Sequence, residues 1–349
     1  MEEGTIFKQR DNDKVLSASE LVARITASDF SDREVTVIGY GSMGKEYVKA
    51  LRALGVKRIR VCSRSKGSLP ELYDKADVET VVGGIENLRC SPRSDELGIV
   101  CTPMESLVDV TNLLVSLGFR HLLIEKPISL YSSEIKQLAE HMTRSEVRAL
   151  CAYNRVAYPG VQEVRARVNV EGGITSCSYT LTEMIKPDWI QRFQKNELER
   201  WGIANSLHVI SMAHTLIGAP QQWSGYRSNS LEWHPSGAVF TGSGISDQDI
   251  VFGYHADWGS KGRWSVEVHT SVASYRLCPL EAVLRKESSL AQWESIPILT
   301  YAPEVKMGIV EQVSAMLNPE ISRCIPLVSL SDAAILTAYA EKVFGYSTH

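Results

Sequence analysis

From residue 34 onward, short apolar runs alternate with longer stretches in which apolar side chains recur every three to four positions. The runs are VTVIG (35–39), RIRVC (58–62), LGIVCT (97–102), HLLIE (121–125) and VRALCAY (147–153). Each has the length and aliphatic character of a strand. Between them, MGKEYVKALRAL and ESLVDVTNLLVSL have helical period, and Gly118 stands where the second should stop. Strands separated by helices predict βαβ units and a parallel sheet covered on both faces. From about residue 174 the pattern changes. ITSCSYTLTEM, GAVFTGSG, QDIVFGYHADW, RWSVEVHT and ASYRLCPL read as strands, and helical period returns only in NSLHVISMAHTLIG, MGIVEQVSAML and LSDAAILTAYAEKVF. This predicts an α+β domain on an open, largely antiparallel sheet. Ahead of both, polar KQRDNDK leads into SASELVARI, a helix with a Ser-x-x-Glu capping pattern and either Ser17 or Ser19 as the cap, depending on register. The expected division is an extension (1–33), a parallel α/β domain (34–153) and an α+β domain (154–349).

Composition narrows the chemistry. Two domains suit 349 residues. A 44% hydrophobic and 22% charged chain is globular, and a net charge of −4 argues against nucleic acid as a partner. No apolar run is long enough to span a membrane, and the start lacks a signal-peptide core, so a cytoplasmic protein is expected. Seven dispersed cysteines (Cys62, Cys90, Cys101, Cys151, Cys177, Cys278 and Cys324) without a Cys-x-x-Cys pair argue against disulfides or structural zinc, and no metal site is expected.

Gly39, Gly41 and Gly44 form Gly-x-Gly-x-x-Gly between the first strand and the first helix of the parallel domain. The first permits a tight turn, the second lets a pyrophosphate approach the backbone, the third allows helix and strand to pack closely, and Ser42 and Met43 open a helix whose N-terminus faces the anion. A Rossmann dinucleotide site follows. No acidic residue lies between Glu46 and Glu71, where an NAD enzyme usually offers one to the ribose hydroxyls. The second strand ends instead in Cys62, Ser63, Arg64, Ser65 and Lys66, hydroxyls and cations suited to a 2′-phosphate, so NADP(H) is favoured over NAD(H).

Glu125-Lys126-Pro127 at the end of HLLIE, with CTPMES before it and AYNRVAYP after it, resembles the Gfo/Idh/MocA family of oxidoreductases, named for glucose-fructose oxidoreductase and inositol dehydrogenase. The resemblance implies that Glu125 and Lys126 lie beside the nicotinamide, with Lys126 near the reacting hydroxyl. It also implies that Thr102 and Pro103 line the cofactor cleft, and that Asn154 and Arg155 belong to the domain junction, Asn154 toward the cofactor and Arg155 toward the substrate. A cation at a strand's carboxyl end suits this chemistry, because hydride loss from an alcohol leaves charge on oxygen. The family carries its acid or base on a helix, commonly as Asp followed by His; here WGIANSLHVISMAHTLIG supplies His208, with Asn205 three residues before it and no Asp. At about 100° per residue Asn205 and His208 share a helix face. Without a carboxylate neighbour His208 is expected to titrate near its ordinary value, about 6.5.

All seven tryptophans follow residue 188, and GYHADWGSKGRWSVEVHT adds Tyr254 and Arg263. Aromatic rings suit sugar faces and Arg suits phosphate or carboxylate, so Tyr254, Trp258 and Arg263 are candidate substrate contacts for a sugar or nucleotide-sugar. NSLH, YHADW and GRWSVEV resemble a family subgroup of sugar-nucleotide and surface-polysaccharide pathways. The leading expectation is an NADP-dependent sugar oxidoreductase with Lys126, His208 and Asn205 as catalytic residues. The alternatives are a non-catalytic nucleotide- or sugar-sensing regulator, and a lyase or glycosidase that keeps and recycles NAD(P). Apolar surface on an open second sheet predicts a homodimer or homotetramer.

Overall fold

The computed structural model describes residues 15–67, 69–72, 75–89, 91–183, 185 and 187–348. The polar start of the extension and Cys90 lie outside them. Helix α1 (Ala18–Thr26) begins at Ser17, whose hydroxyl accepts the Glu20 amide while the Glu20 carboxylate accepts the Ser17 amide, so Ser17 and not Ser19 is the cap. α1 packs on α5 (Pro159–Val170) and α10 (Pro319–Ser322), with Arg24 paired to Glu320 at 3.0 Å.

Seven strands form the first sheet: β1 (Glu34–Ile38), β2 (Arg58–Ser63), β3 (Val78–Val82), β4 (Leu97–Val100), β5 (His121–Glu125), β6 (Arg148–Ala152) and β15 (Val328–Ser329), in the order β15-β6-β5-β4-β1-β2-β3. The first six are parallel; β15 returns from the far end of the chain and pairs antiparallel with β6. Helices α2 (Ser42–Ala53), α3 (Leu107–Ser116) and α4 (Ser132–Arg144) make the crossovers. Strand order reverses between β1 and β4, and open α/β sheets bind ligands at that point, outside the strands' carboxyl ends. Residues 39–44, 101–103 and 125–127 all follow strands at that edge.

The second sheet has the order β14-β13-β12-β11-β7-β10-β9-β8, from β7 (Ser176–Leu181), β8 (Pro220–Ser228), β9 (Val239–Ser246), β10 (Val251–Asp257), β11 (Trp264–His269), β12 (Ser274–Leu277), β13 (Val283–Lys286) and β14 (Glu294–Ile296). Only β7 and β10 run parallel. Between β7 and β8 lie α6 (Pro187–Arg192), α7 (Lys195–Glu199) and α8 (Leu207–Ile217); α9 (Ile309–Leu317), α10 and α11 (Leu330–Phe344) follow the sheet. α8 covers β7 and β11, and α11 covers β8 and β9, burying Tyr179, Phe252, Tyr254 and Tyr339 between helix and sheet. The other face exposes Ser178, Thr241, Ser243, Val251 and His255, mostly hydroxyl-bearing residues rather than the apolar surface expected from sequence. β3, β8 and β14 escape the apolar pattern because they are edge strands, which bury few side chains; β8 is exposed at nearly every position. Among the described residues, no helix is long and apolar enough to cross a membrane.

Candidate active site at the junction of the two sheets

The glycine loop is built as a cradle. Gly39 has φ +101°, in the region that favours glycine, and a Cβ there would lie 2.6 Å from the Cys101 carbonyl oxygen. A Cβ at Gly44 would stand 2.2 Å from the Gly39 carbonyl oxygen, so only glycine lets α2 pack so close to β1. At Gly41 there is open space, and α2 begins there with no side-chain cap and no acidic residue in its first turn. Its free amides and the positive end of its dipole face outward at Ser42 and Met43. Across the loop the Thr102 hydroxyl is buried without a partner. These features fit a dinucleotide pyrophosphate.

Toward its ribose end, Arg64, Ser65 and Lys66 are exposed and Ser63 half-buried. Among the described residues Arg64 and Lys66 make no ion pair, whereas Lys49, Arg52, Arg58 and Arg60 of the same acid-free stretch all do.

At the end of β5, Glu125 is buried and its carboxylate accepts the Tyr47 hydroxyl from α2 at 2.5 Å and the Lys126 amide at 3.2 Å. Burial pushes this carboxyl up, and the Tyr47 bond and the Lys126 charge oppose that rise. Tyr47 thereby joins the glycine-loop helix to the Glu-Lys-Pro turn. Lys126 reaches across the junction and donates from Nζ to the Ala204 carbonyl at 3.1 Å. Burial lowers its ammonium to about 8, with the Glu125 charge acting against the fall.

Ala204 and Asn205 lie in a π-helical turn, Gly202–Ser206, which precedes α8. It replaces the regular helix expected over this stretch, so the 100° spacing does not apply across it. Gly202 is required here because a Cβ would lie 2.2 Å from the Phe344 ring. The turn is held from outside by a buried ion pair, Arg200 to Glu341 at 2.8 Å. Arg200 also donates to the Leu130 carbonyl, and Glu341 accepts the Ser132 amide and hydroxyl, which locks the segment after Lys126 to the segment before Asn205. Asn205 does not cap a helix. Its Nδ2 donates to Glu183 Oε2 at 2.9 Å, and Ser206 Oγ donates to Glu183 Oε1 at 2.5 Å.

His208 is buried, with Nδ1 unpartnered, between Tyr153 (6.4 Å between ring centroids) and Trp264 (6.1 Å). Its pKa lies well below the ordinary histidine value, first because of burial and then because of the Lys126, Arg155 and Lys306 charges. This corrects the expectation of ordinary titration: the ring is neutral near pH 7. The Arg155 guanidinium stacks 5.0 Å from the Trp264 ring, and Arg155 Nε and Trp264 Nε1 are buried without partners. Together with His208 Nδ1 they leave three unpaired buried polar atoms in one group, a fitting lining for a polyhydroxyl ligand.

Other expected residues lie elsewhere. Asn154 is buried and its Nδ2 donates to the Met307 carbonyl, which ties the junction together. Tyr254 is stacked on Tyr179 in the core of the second domain. Trp258 is stacked on Trp233 at 5.7 Å and donates Nε1 to the Leu181 carbonyl, so both are corrected from substrate contacts to core residues. Arg263 is exposed on the turn beside Thr180, and Pro103 is exposed at the rim of the cleft. Sequence reasoning missed Glu183, which no motif marks, and Lys306. The Lys306 amide donates to Glu46 and its Nζ to Met43 Sδ, bringing a cation from the second domain over the glycine loop. Among the described residues, no group of three or more His, Cys, Asp or Glu could hold a metal.

Residues 33–153 match the model of an oxidoreductase family with NAD-binding Rossmann fold, GFO_IDH_MocA. The nucleotide-binding domain is thus similar in sequence to that of the Gfo/Idh/MocA oxidoreductases. Similar solved structures include an oxidoreductase from Agrobacterium radiobacter in complex with NAD+, L-tartaric acid and magnesium (TM-score 0.72, 13% identity, covering 90% of this chain and 96% of that one). A UDP-N-acetylglucosamine 3-dehydrogenase from Acidithiobacillus ferrooxidans has TM-score 0.65 and 14% identity, covering 90% and 97%. A levoglucosan dehydrogenase in complex with NADH and L-sorbose has TM-score 0.67 and 14% identity, covering 90% and 96%. At these identities the likeness is one of fold across both domains. No curated protein matches the chain in sequence.

Proposed function

We propose that the protein moves hydride between a nicotinamide and a secondary alcohol or ketone carbon of a sugar or nucleotide-sugar, with NADP(H) as the preferred cofactor. The observation that carries this reading is Lys126 at the carboxyl end of β5, its ammonium bonded across the junction to the turn that bears Asn205 and leads to His208. When bound, the nicotinamide supplies the hydride acceptor or donor. Lys126 sets a cation where negative charge grows on the reacting oxygen. The neutral His208 offers an unpaired ring nitrogen as proton or hydrogen-bond partner, Asn205 orients the substrate, and Arg155 with Trp264 presents donors and an aromatic face to it. The unpaired Arg64 and Lys66 support a phosphorylated ribose, and the sugar dehydrogenases among the similar folds support the substrate class. Cys101, Cys151, Cys177 and Cys278 carry free thiols, in keeping with a cytoplasmic setting. A homodimer or homotetramer completes the reading, and light scattering checks it.

The test is turnover of sugars and nucleotide-sugars with NADP+ or NADPH, followed by nicotinamide absorbance and product analysis. Lys126→Met and His208→Ala should each cut turnover by roughly 10² to 10⁴ while leaving cofactor affinity near wild type. Near-wild-type rates in both refute the assignment. Tight nucleotide retention without turnover favours a sensor, and product without net absorbance change favours a recycled cofactor.

A further inference from the structure

Glu183 lies two residues beyond the end of β7, only 3% exposed, and no Lys or Arg among the described residues pairs with it. A buried carboxylate without an ion pair is costly, and a neutral residue of similar shape would fill the space at less cost. The surroundings instead supply Asn205 Nδ2 and Ser206 Oγ, one donor to each oxygen, with the Trp201 indole also acting to favour the charged form. The preceding residue, Ala204, gives its carbonyl to Lys126 Nζ. Three consecutive residues of the wide turn therefore join Lys126 to Glu183. The amide of Asn205 is planar, so with Nδ2 held by Glu183 its Oδ1 is turned away from that carboxylate as a free acceptor.

Resting on the oxidoreductase reading above, we propose that Glu183 is a positioning carboxylate of this active site, holding the Asn205 amide in the orientation that accepts a substrate hydroxyl and giving Lys126 a counter-charge. A protonated Glu183 would itself need an acceptor and would release Asn205 to rotate, so turnover should fall on the acid side. The ionisable groups that act on this part of the site are Lys126, Tyr346, whose hydroxyl accepts the Gly202 amide of the same turn, and the Arg200–Glu341 pair that holds it. Burial, opposed by the Ser206 and Asn205 bonds, raises the Glu183 carboxyl to about 7, which puts the limb within a measurable range.

The experiment is the pH dependence of kcat and KM for wild type, Glu183→Gln and Glu183→Asp with a substrate turned over by wild type, alongside thermal melts and NADPH titrations. Glu183→Gln should lose kcat by tenfold or more and lose the acid limb, with NADPH affinity unchanged. Glu183→Asp, which keeps the charge, should retain the limb and recover part of kcat. A purely structural role would change melting temperature without moving the limb. Wild-type kcat and an unchanged profile in Glu183→Gln overturn the proposal while leaving the oxidoreductase reading intact; absence of turnover in wild type overturns both. If Glu183→Gln fails to fold, Glu183→Asp decides: reduced kcat with the limb retained supports the proposal, and wild-type kcat overturns it.

Discussion

Two alanine substitutions three residues apart in the glycine loop should have opposite signatures. At Gly44 the new methyl carbon would stand 2.2 Å from the Gly39 carbonyl oxygen and 3.4 Å from the Cys101 sulfur. Ordinary contact is about 3.5 Å or more, so helix and strand must part by about 1 Å at this contact. Overpacking of this kind costs about 1–3 kcal/mol, a large fraction of a total stability of about 5–15 kcal/mol. At Gly41 the methyl meets nothing within 4 Å, and φ −80° with an extended ψ suits alanine. Stability should therefore change by no more than about 0.5 kcal/mol. The methyl would nevertheless stand where a pyrophosphate must approach the first amides of α2. Gly41→Ala should thus melt like wild type yet bind NADPH at least tenfold more weakly, whereas Gly44→Ala should melt several degrees lower. Differential scanning fluorimetry and titration of nicotinamide fluorescence read the two effects separately. Wild-type NADPH affinity in Gly41→Ala would refute the placement of the pyrophosphate; a wild-type melt in Gly44→Ala would refute the close packing.

Two further outcomes follow from unpaired or buried charges. Arg64→Ala should raise KM for NADPH about tenfold and leave that for NADH unchanged, since a charge-assisted bond contributes about 1.5–3 kcal/mol; a wild-type enzyme preferring NADH tenfold would contradict the cofactor choice. Glu311, buried in α9, has its carboxyl raised from 4.5 to about 7 by burial, with only its own and the Gly308 backbone amides opposing. Between those values the folded chain holds more protons than the unfolded one, so this group's effect on stability worsens as pH rises through the window. Glu311→Gln should melt above wild type at about pH 8 and lose that advantage near pH 5; equal melts at both would contradict the sign.

The apolar periodicity and the glycine spacing sufficed for the parallel sheet, the loop at its switch point and the lysine at the end of β5, because each is a local pattern with a local cause. Continuous apolar runs mark strands buried on both faces, and Gly44 answers the Gly39 carbonyl within six residues of chain. The acid-free stretch after Glu46 likewise identified Arg64 and Lys66 before either could be seen to lack an ion pair. What the sequence left open depends on residues far apart meeting. β8 and β15 are strands only because β9 and β6 lie beside them. Tyr254 and Trp258 look like sugar contacts until Tyr179, Trp233 and the Leu181 carbonyl are found against them. The widened turn at 202–206 depends on Phe344 packing where Gly202 lacks a side chain, and it displaced the helical spacing assumed for Asn205 and His208. Glu183 belongs to no motif, and it meets Asn205 across 22 residues only after β7 and the turn are packed together. Burial, which no linear pattern reports, then set the charge states, lowering His208 and Lys126 and raising Glu183. Local sequence thus determined where cofactor chemistry could occur, while tertiary contact and desolvation decided which side chains have the position and protonation to serve it.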